Sequence, residues 1–172
     1  MSFGGIQMSD RKKVYWDACA WLGLINGEAD KAEDLEFVWR KAEHGEVKIW
    51  TSTFCLAEVY KVKCENGKTG LASEADAQID NLFDQDFVHL VQVDLEVARK
   101  ARELLRTEEK LKKPSDGIHL ATAILWNVDQ LHTYDSSDLL GLSVKRADGE
   151  NLTICRASKV DGDNLFNADE EE

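Results

Sequence analysis

The stretch K-P-S-D-G-I-H-L-A-T-A-I-L (residues 113–125), followed after a short turn by L-H-T-Y-D (residues 131–135), decides the fold of this 172-residue chain. The first segment predicts a helix capped by Ser115, and the second predicts a buried strand. A helix of about twelve residues rises roughly 18 Å, and the returning turn and strand, at about 3.3 Å per residue, cover a similar distance. The spacing therefore places Asp116, at the start of the helix, beside Asp135, at the end of the strand.

The rest of the chain repeats this alternation of strands and helices. Together with the strand at 131–134, strands are predicted at residues 14–16, 47–51, 87–93 and 152–155. Further helices are predicted at residues 18–24, at 28–44, from hydroxyl caps at 51–53 through 64, and from the caps Ser73 and Asp94. Strands that alternate with helices form βαβ units, and these units build a parallel sheet covered on both faces. The predicted fold class is α/β, a three-layer α/β/α sandwich around a central parallel sheet.

Composition indicates one compact domain, predicted at residues 14–160 after an N-terminal extension at 1–13. No apolar run resembles a signal peptide, and the longest, at 18–25, is too short to span a membrane. The four cysteines form no C-x-x-C pair, which favours reduced thiols. We therefore expect a cytoplasmic protein with no membrane partner.

The charge of the chain is distributed unevenly. Thirty-three acids and 21 bases give a net charge of −12, which argues against a surface that is basic throughout. Residues 161–172 hold six acids and no base, and we expect a solvated, disordered tail there. Residues 99–113 hold seven bases and three acids, which is typical of either a solvated helix face or a phosphate-docking surface. The docking residues would be Arg106, Lys110, Lys112 and Lys113.

Carboxylates gather where the predicted strands end, which is where ligands bind in such sheets. They are Asp17, Glu58, Asp116, Asp135 and Asp138. Bare carboxylates at close range repel one another, and some stay protonated. A Mg²⁺ or Mn²⁺ ion removes this cost, because both ions prefer oxygen ligands. One or two such ions can activate water for attack on a phosphodiester.

Four stretches of the chain resemble the acidic motifs of PIN domains, in the same order and at similar spacing. They are V-Y-W-D-A-C-A-W-L (14–22), S-T-F-C-L-A-E-V (52–59), K-P-S-D-G-I-H-L-A-T-A (113–123) and L-H-T-Y-D-S-S-D (131–138). The resemblance extends loosely from residue 14 to about residue 155. It implies an α/β/α sandwich and a metal site made of Asp17, Glu58, Asp116 and Asp135. Asp138 would be auxiliary, and Thr133 would supply the hydroxyl of the family's T-x-D motif.

The PIN family contains metal-dependent ribonucleases, including the VapC-type toxins of toxin–antitoxin pairs. The resemblance therefore implies an endoribonuclease that uses Mg²⁺ or Mn²⁺ and RNA as its substrate, with a small antitoxin as partner and a homodimeric assembly. The chain departs from the family pattern after Asp17, where many members carry a hydroxyl residue and this sequence has Ala18 and Cys19.

Other interpretations of the same residues stay open at this point. Asp17 and Asp135 could cap the elements that follow them, and Asp116 could complement a helix dipole. Glu58 could lie on an exposed face. The histidines, of which only His119 is close to the site in sequence, are predicted to be surface or satisfied core residues. At the level of the molecule, the alternatives are a PIN-fold module that binds RNA or protein without cleaving, and an acidic-pocket phosphatase or receiver domain. The last two lack their expected companion residues; a phosphatase of this type would have an acid where Cys19 stands.

Overall fold

The structure is a computed structural model that describes residues 11–68 and 70–159. The predicted acidic tail at 161–172 and residues 1–10 of the predicted extension lie outside the described residues. The strands of the described part are β1 (Lys12–Trp16), β2 (Val47–Ser52), β3 (Val88–Val91), β4 (Gln130–His132), β5 (Val144–Lys145) and β6 (Asn151–Cys155). The helices are α1 (Ala18–Ile25), α2 (Ala32–Glu43), α3 (Thr53–Glu58), α4 (Ser73–Phe83), α5 (Leu95–Thr107) and α6 (Pro114–Leu125), with a 3₁₀ turn at Lys63–Glu65.

The strands form one sheet in the order β3-β2-β1-β4-β6-β5. β1 lies at its centre and pairs in parallel with β2 and β4, while β3 and β6 extend the parallel part on either side. Only β5 runs antiparallel, against β6. The predicted parallel sheet is therefore confirmed. β5, which has two residues, was not predicted because so short a strand shows no alternation.

Helices cover both faces of the sheet, as the alternation predicts. Successive β1 side chains point to opposite faces, so that Tyr15 and Trp16 belong to different clusters of buried residues. The Tyr15 cluster includes Val97 and Leu104 of α5 and Leu120 and Ile124 of α6. The Trp16 cluster includes Trp21 of α1, Leu35 and Val38 of α2, and Ile79 and Phe83 of α4. The three-layer α/β/α architecture is confirmed.

The helix boundaries show which local signals decided the structure. Asp94 caps α5 as predicted, because its Oδ1 accepts a hydrogen bond from the Val97 amide at 3.0 Å. The prediction that Ser115 caps α6 was wrong. Pro114 is the first residue of that helix and Lys113 precedes it without a side-chain capping bond. Proline suits this position because the amide that it lacks would have no partner within the helix.

The helix after β2 is shorter than predicted, and it ends at Glu58 instead of residue 64. The chain then turns through a segment that the Glu65 carboxylate holds in place. Glu65 is buried and accepts hydrogen bonds from the Val62 amide at 3.0 Å and the Ala72 amide at 3.2 Å. These bonds give two backbone amides of the connection a partner outside a helix. Residues 59–62 can therefore be irregular although their apolar spacing resembles that of a helix.

The outer limits of the fold also differ slightly from prediction. β1 begins at Lys12, two residues inside the predicted extension. The second helix begins at Ala32 instead of residue 28, because residues 28–31 form a turn in which the Glu28 carbonyl accepts from the Lys31 and Ala32 amides. Along the described ranges, none of the helices is both long and apolar enough to cross a membrane.

Candidate functional site

The predicted carboxylates lie at one edge of the sheet, where the parallel strands end. Asp17 follows β1 directly, and its Oδ1 caps α1 by accepting from the Ala20 amide at 3.0 Å. Asp135 follows β4, and Glu58 is the last residue of the helix that leaves β2. Asp116 lies in the first turn of α6. The topology thus places all four residues at the edge where ligands bind in open α/β sheets.

Three of the carboxylates form a close group. Asp116, Asp135 and Asp138 each offer an oxygen within 4.8 Å of the others, so that the proximity predicted for Asp116 and Asp135 is present. A cation from the chain also lies here: the Lys113 Nζ is 2.7 Å from the Asp135 Oδ2 and 3.7 Å from the Asp116 Oδ2. The Lys113 ammonium therefore offsets part of the negative charge of the group.

A tight turn after β4 fixes the Asp135 carboxylate. Its Oδ1 accepts hydrogen bonds from the Ser137 amide at 2.9 Å, the Ser137 hydroxyl at 2.7 Å and the Asp138 amide at 2.9 Å. The Asp135 amide in turn donates to the Thr133 Oγ1 at 3.1 Å. Burial acts to raise the pKa of Asp135, but the hydrogen bonds from Lys113, Asp138 and Ser137 outweigh it and hold the pKa well below its usual value. Asp135 is therefore ionised at neutral pH.

Asp138 connects this turn to the start of α6. Its buried Oδ2 accepts from the Lys112 and Lys113 amides, both at 2.9 Å, and its Oδ1 accepts from the Ser137 hydroxyl at 3.1 Å. Burial raises the pKa of Asp138 and the two amide bonds lower it, with a net downward shift. Asp138 therefore has a clear positioning contact: it ties the residues before Pro114 to the end of β4, and so places Asp116 near Asp135.

Asp116 is the least satisfied carboxylate of the group. It is 8% exposed, and its Oδ2 has no hydrogen-bond partner within the described part of the chain. Burial and the charge of Asp135 raise its pKa to about 6, although Lys113 and His119 act in the opposite direction. A buried carboxylate oxygen that accepts no hydrogen bond is costly, and the Lys113 ammonium at 3.7 Å compensates this cost only in part. A divalent cation would supply a closer interaction.

Asp17 lies deeper than the other acids, at 2% exposure. Burial raises its pKa, while the neighbouring His119 and hydrogen bonds from the Thr133 hydroxyl and the Ala20 amide act to lower it. The nearby charge of Glu58 raises it further. Thr133 therefore contacts both Asp17 and the Asp135 amide, and joins the ends of β1 and β4 at the site.

A second group of side chains surrounds Glu58, and the sequence did not predict it. The Glu58 Oε2 lies 2.6 Å from the Nε2 of His119, and the His119 Nδ1 lies 2.8 Å from the Tyr15 hydroxyl. His119 is 1% exposed, which agrees with a satisfied core residue, but its partner is a site carboxylate. Its position three residues after Asp116 was the available signal, because residues three apart share one face of a helix.

The two positions after Asp17 that depart from the family pattern carry no hydroxyl. Burial and the charges of Asp17, Asp135 and Asp116 raise the pKa of the Cys19 thiol to about 12, against a lowering contribution from Lys31. The thiol is therefore neutral at physiological pH, and it is a poor ligand for a hard cation such as Mg²⁺.

The basic residues predicted to dock RNA do not act as one group. Lys113 lies in the carboxylate cluster, and the Lys110 ammonium donates to the Leu140 carbonyl. Arg106 and Lys112 are exposed and line a surface groove that reaches Pro114, the first residue of α6, and Glu108 and Glu109 line the same groove. The groove therefore leads toward the helix that carries Asp116.

Comparison with known proteins agrees with this architecture. Residues 14–139 match the family model of the PIN domain, whereas no curated protein sequence matches the chain. The fold is similar to that of VapC20 from Mycobacterium tuberculosis, described as a sarcin–ricin loop cleaving toxin, with a TM-score of 0.54 and 17% identity over 71% of this chain and 89% of that one. It is also similar to a toxin–antitoxin complex from Klebsiella pneumoniae, with a TM-score of 0.53 and 18% identity over 75% and 92% of the two chains.

A third similar structure is VapBC2 from Rickettsia felis bound to a DNA fragment from its promoter, with a TM-score of 0.53 and 17% identity over 72% of this chain and 88% of that one. At these identities the structures establish a shared fold. The family model covers most of the chain and includes all five acidic residues of the site. The chain therefore belongs to the PIN-domain family.

Proposed function

We propose that this protein is a metal-dependent endoribonuclease that hydrolyses RNA phosphodiester bonds with Mg²⁺ or Mn²⁺. The observation that carries the proposal is the close group of Asp116, Asp135 and Asp138, each of which offers an oxygen within 4.8 Å of the others. Within the described residues the buried Asp116 Oδ2 accepts no hydrogen bond, and the Lys113 ammonium lies 3.7 Å from it. If Asp116 had only a structural role, a buried carboxylate oxygen without a hydrogen bond beside two further acids would be unfavourable. A hard divalent cation fits this set of oxygen donors.

The residues that would hold the metal are Asp17, Glu58, Asp116 and Asp135. When bound, the ion would make a water molecule a stronger nucleophile and stabilise the charge that develops on the phosphodiester. The protein's own contribution is to hold the carboxylates in place before the ion arrives. Asp135 is fixed by the Ser137 turn and Asp17 by the Ala20 amide. Thr133 links the two strand ends.

Asp138 and Lys113 would have supporting roles. Asp138 is positioned by two backbone amides through one oxygen, which supports placement of α6 as its role in preference to direct ligation. Lys113 is half exposed at the edge of the acidic group, and its ammonium could turn toward a phosphate once a metal neutralises the carboxylates. The exposed groove with Arg106 and Lys112 would receive the RNA backbone.

The biological role that we propose is that of the toxin of a type II toxin–antitoxin pair, acting in the cytoplasm as a homodimer. Two of the similar structures are described as a toxin–antitoxin complex and as VapBC2. These descriptions support a small antitoxin as the partner of this chain, while its similarity to them establishes the fold alone.

Cleavage of RNA by the purified protein tests the catalytic proposal. We expect total RNA to be cut with Mn²⁺ or Mg²⁺ and to stay intact with EDTA. Asp116→Asn and Asp17→Asn should each reduce cleavage at least about a hundredfold, which is typical for the loss of an essential charged group. Asp80→Asn is a matched control, because Asp80 is exposed on α4. Metal binding without cleavage of any RNA would instead identify a PIN-fold module that does not cut.

Growth of a bacterial host tests the toxin proposal separately. Induction of the wild-type chain is expected to stop growth, and induction of Asp116→Asn to leave growth unchanged at equal protein levels. Growth that continues under wild-type expression, together with RNA cleavage in vitro, would favour ordinary RNA processing over a toxin.

A further inference from the structure

We propose that His119 is a positioning residue for Glu58, held in one orientation by a buried hydrogen-bond chain that begins at the backbone amide of Ser52. The proposal rests on the proposed function, since it assigns Glu58 a metal-binding role. The chain runs from the Ser52 amide to the Tyr15 hydroxyl, from there to the His119 imidazole, and from the imidazole to the Glu58 carboxylate.

The direction of the first hydrogen bond is fixed by chemistry. A backbone amide can only donate, so that the Ser52 N–H donates to the Tyr15 Oη at 3.1 Å. Tyr15 is fully buried, and burial is the main reason why its pKa lies far above the usual value. The hydroxyl therefore keeps its proton, and this proton is free to be donated to the His119 Nδ1 at 2.8 Å.

The donor to Glu58 follows from the chemistry of its partner. The Nε2 of His119 faces the Glu58 Oε2 at 2.6 Å. Because an ionised carboxylate can only accept, the Nε2 is the donor, while the Nδ1 is engaged by the Tyr15 hydroxyl on the other side of the ring. Each imidazole nitrogen therefore has a partner, and the chain ends at the carboxylate.

Glu58 needs such an external constraint because of its place in the fold. It is the last residue of α3, which has six residues, and Val59 already leaves helical geometry. Its side chain is 24% exposed, so that packing alone restricts it less than it restricts Asp17. The bond to His119 therefore restricts a carboxylate that packing alone leaves mobile, and that carboxylate keeps further lone pairs with which it would hold a metal.

The same helix thus contributes to the site in two ways. α6 presents Asp116 directly, and it presents His119 one turn later on the same face. An outer-sphere imidazole that orients a metal-binding carboxylate raises metal affinity by restricting the ligand. Cys55, Glu58 and His119 could also hold a soft metal among themselves, since their ligand atoms lie within 4.8 Å of one another. Both imidazole nitrogens are already engaged, however, and this argues against that use.

Isothermal titration of Mn²⁺ into the full chain tests the proposal without relying on cleavage. We expect His119→Ala to weaken Mn²⁺ binding by about tenfold or more, which is typical for the loss of a residue that orients a metal ligand. His119→Gln is expected to stay within about threefold of wild type, because its amide nitrogen can replace the Nε2 donor. Tyr15→Phe removes the donor to the Nδ1, and it should weaken binding less than His119→Ala does.

A double-mutant cycle with Glu58→Ala separates positioning from a general loss of structure. In the Glu58→Ala background the change His119→Ala should cost no further Mn²⁺ affinity, because the group that it positions is gone. An equal loss in both backgrounds would overturn the proposal, and so would wild-type affinity in His119→Ala. If His119→Ala does not fold, Tyr15→Phe decides the question instead. Wild-type Mn²⁺ affinity in Tyr15→Phe would then overturn the proposal.

Failure of the proposed function and failure of the positioning role give different results. Failure of the wild-type protein to bind Mn²⁺ would refute the proposed function itself. Co²⁺ binding with a thiolate charge-transfer band that disappears in Cys55→Ala would overturn the positioning role in favour of a soft-metal site.

Discussion

At the scale of single residues, the site contains its own cation. The Lys113 ammonium lies 2.7 Å from Asp135 and 3.7 Å from Asp116, and the hydrogen bond to Asp135 raises its pKa despite some opposing desolvation. A metal ion that binds these carboxylates meets a positive charge already present. Lys113 therefore both lowers the repulsion among the acids and competes with the metal.

Replacement of Lys113 by Met should consequently tighten metal binding. We expect the Mn²⁺ dissociation constant to fall about three- to tenfold, a modest change because the side chain is half exposed and screened by water. Titration calorimetry at low ionic strength measures it, with Lys145→Met, an exposed lysine of β5, as the matched control. Weaker binding in Lys113→Met would mean that the lysine organises the carboxylates and does not compete for them.

The raised pKa of Asp116 predicts a pH dependence of both metal binding and stability. Below pH 6 its carboxyl is largely protonated, since the pKa is about 6, and Mn²⁺ affinity should fall as the pH decreases through that value. The stability of the metal-free protein changes in the opposite sense. A carboxyl that binds its proton more tightly when folded makes the folded state less stable as the pH rises from about 4 to above 6.

Asp116→Asn should therefore stabilise the metal-free protein at pH 7.5. We expect a gain of about 1–2 kcal/mol, or roughly 3–6 °C in Tm, after allowing for solvent screening. Thermal unfolding in EDTA measures the change, and the gain should disappear at pH 4, where wild-type Asp116 is itself neutral. A variant that is less stable than wild type at pH 7.5 would contradict the assignment of an unsatisfied charge.

At the scale of secondary-structure elements, the start of α6 depends on a contact outside the helix. Lys113 precedes Pro114 without a side-chain cap, and the Asp138 carboxylate instead binds the two amides before the helix. Since these are charge-assisted hydrogen bonds to a buried acceptor, Asp138→Ala should lower the free energy of unfolding by about 2–3 kcal/mol. Denaturation by urea in EDTA measures the loss. Ser137→Ala, which removes a hydroxyl from the same turn, should cost less than half as much.

The elements also show where prediction from sequence succeeded and where it ended. The proximity of Asp116 and Asp135 was predictable because it depends on the rise of one helix and one returning strand. The contact between His119 and Glu58 was not, because it joins residues 61 positions apart and depends on α3 ending at Glu58. The connection after that end is held by hydrogen bonds from the Val62 and Ala72 amides to the Glu65 carboxylate, which hydrophobic spacing does not encode.

At the scale of the whole molecule, the fold followed from the strand–helix alternation, whereas the distribution of charge on its surface did not. The net charge of −12 argued against nucleic acid. In the structure, however, the acids of the site are buried or half-buried, and Arg106 and Lys112 are exposed along a groove that also contains Glu108 and Glu109 and that reaches α6. An RNA chain at this groove would therefore respond mainly to nearby charges, since charges farther away than about 8–10 Å are screened at physiological salt.

The double variant Arg106→Ala/Lys112→Ala tests whether this groove binds RNA. If both side chains contact phosphates, the slope of log K against log salt for a single-stranded RNA should become shallower by about 1.4, since each contact to a single strand contributes roughly 0.7. Binding can be measured in the Asp116→Asn background with Mg²⁺, so that cleavage does not intervene. The double variant Arg40→Ala/Lys145→Ala removes the same charge from exposed positions on α2 and β5 and should leave the slope unchanged. Equal slopes in the two double variants would mean that the basic segment at 99–113 is a solvated helix face, and that RNA reaches the carboxylates from another direction.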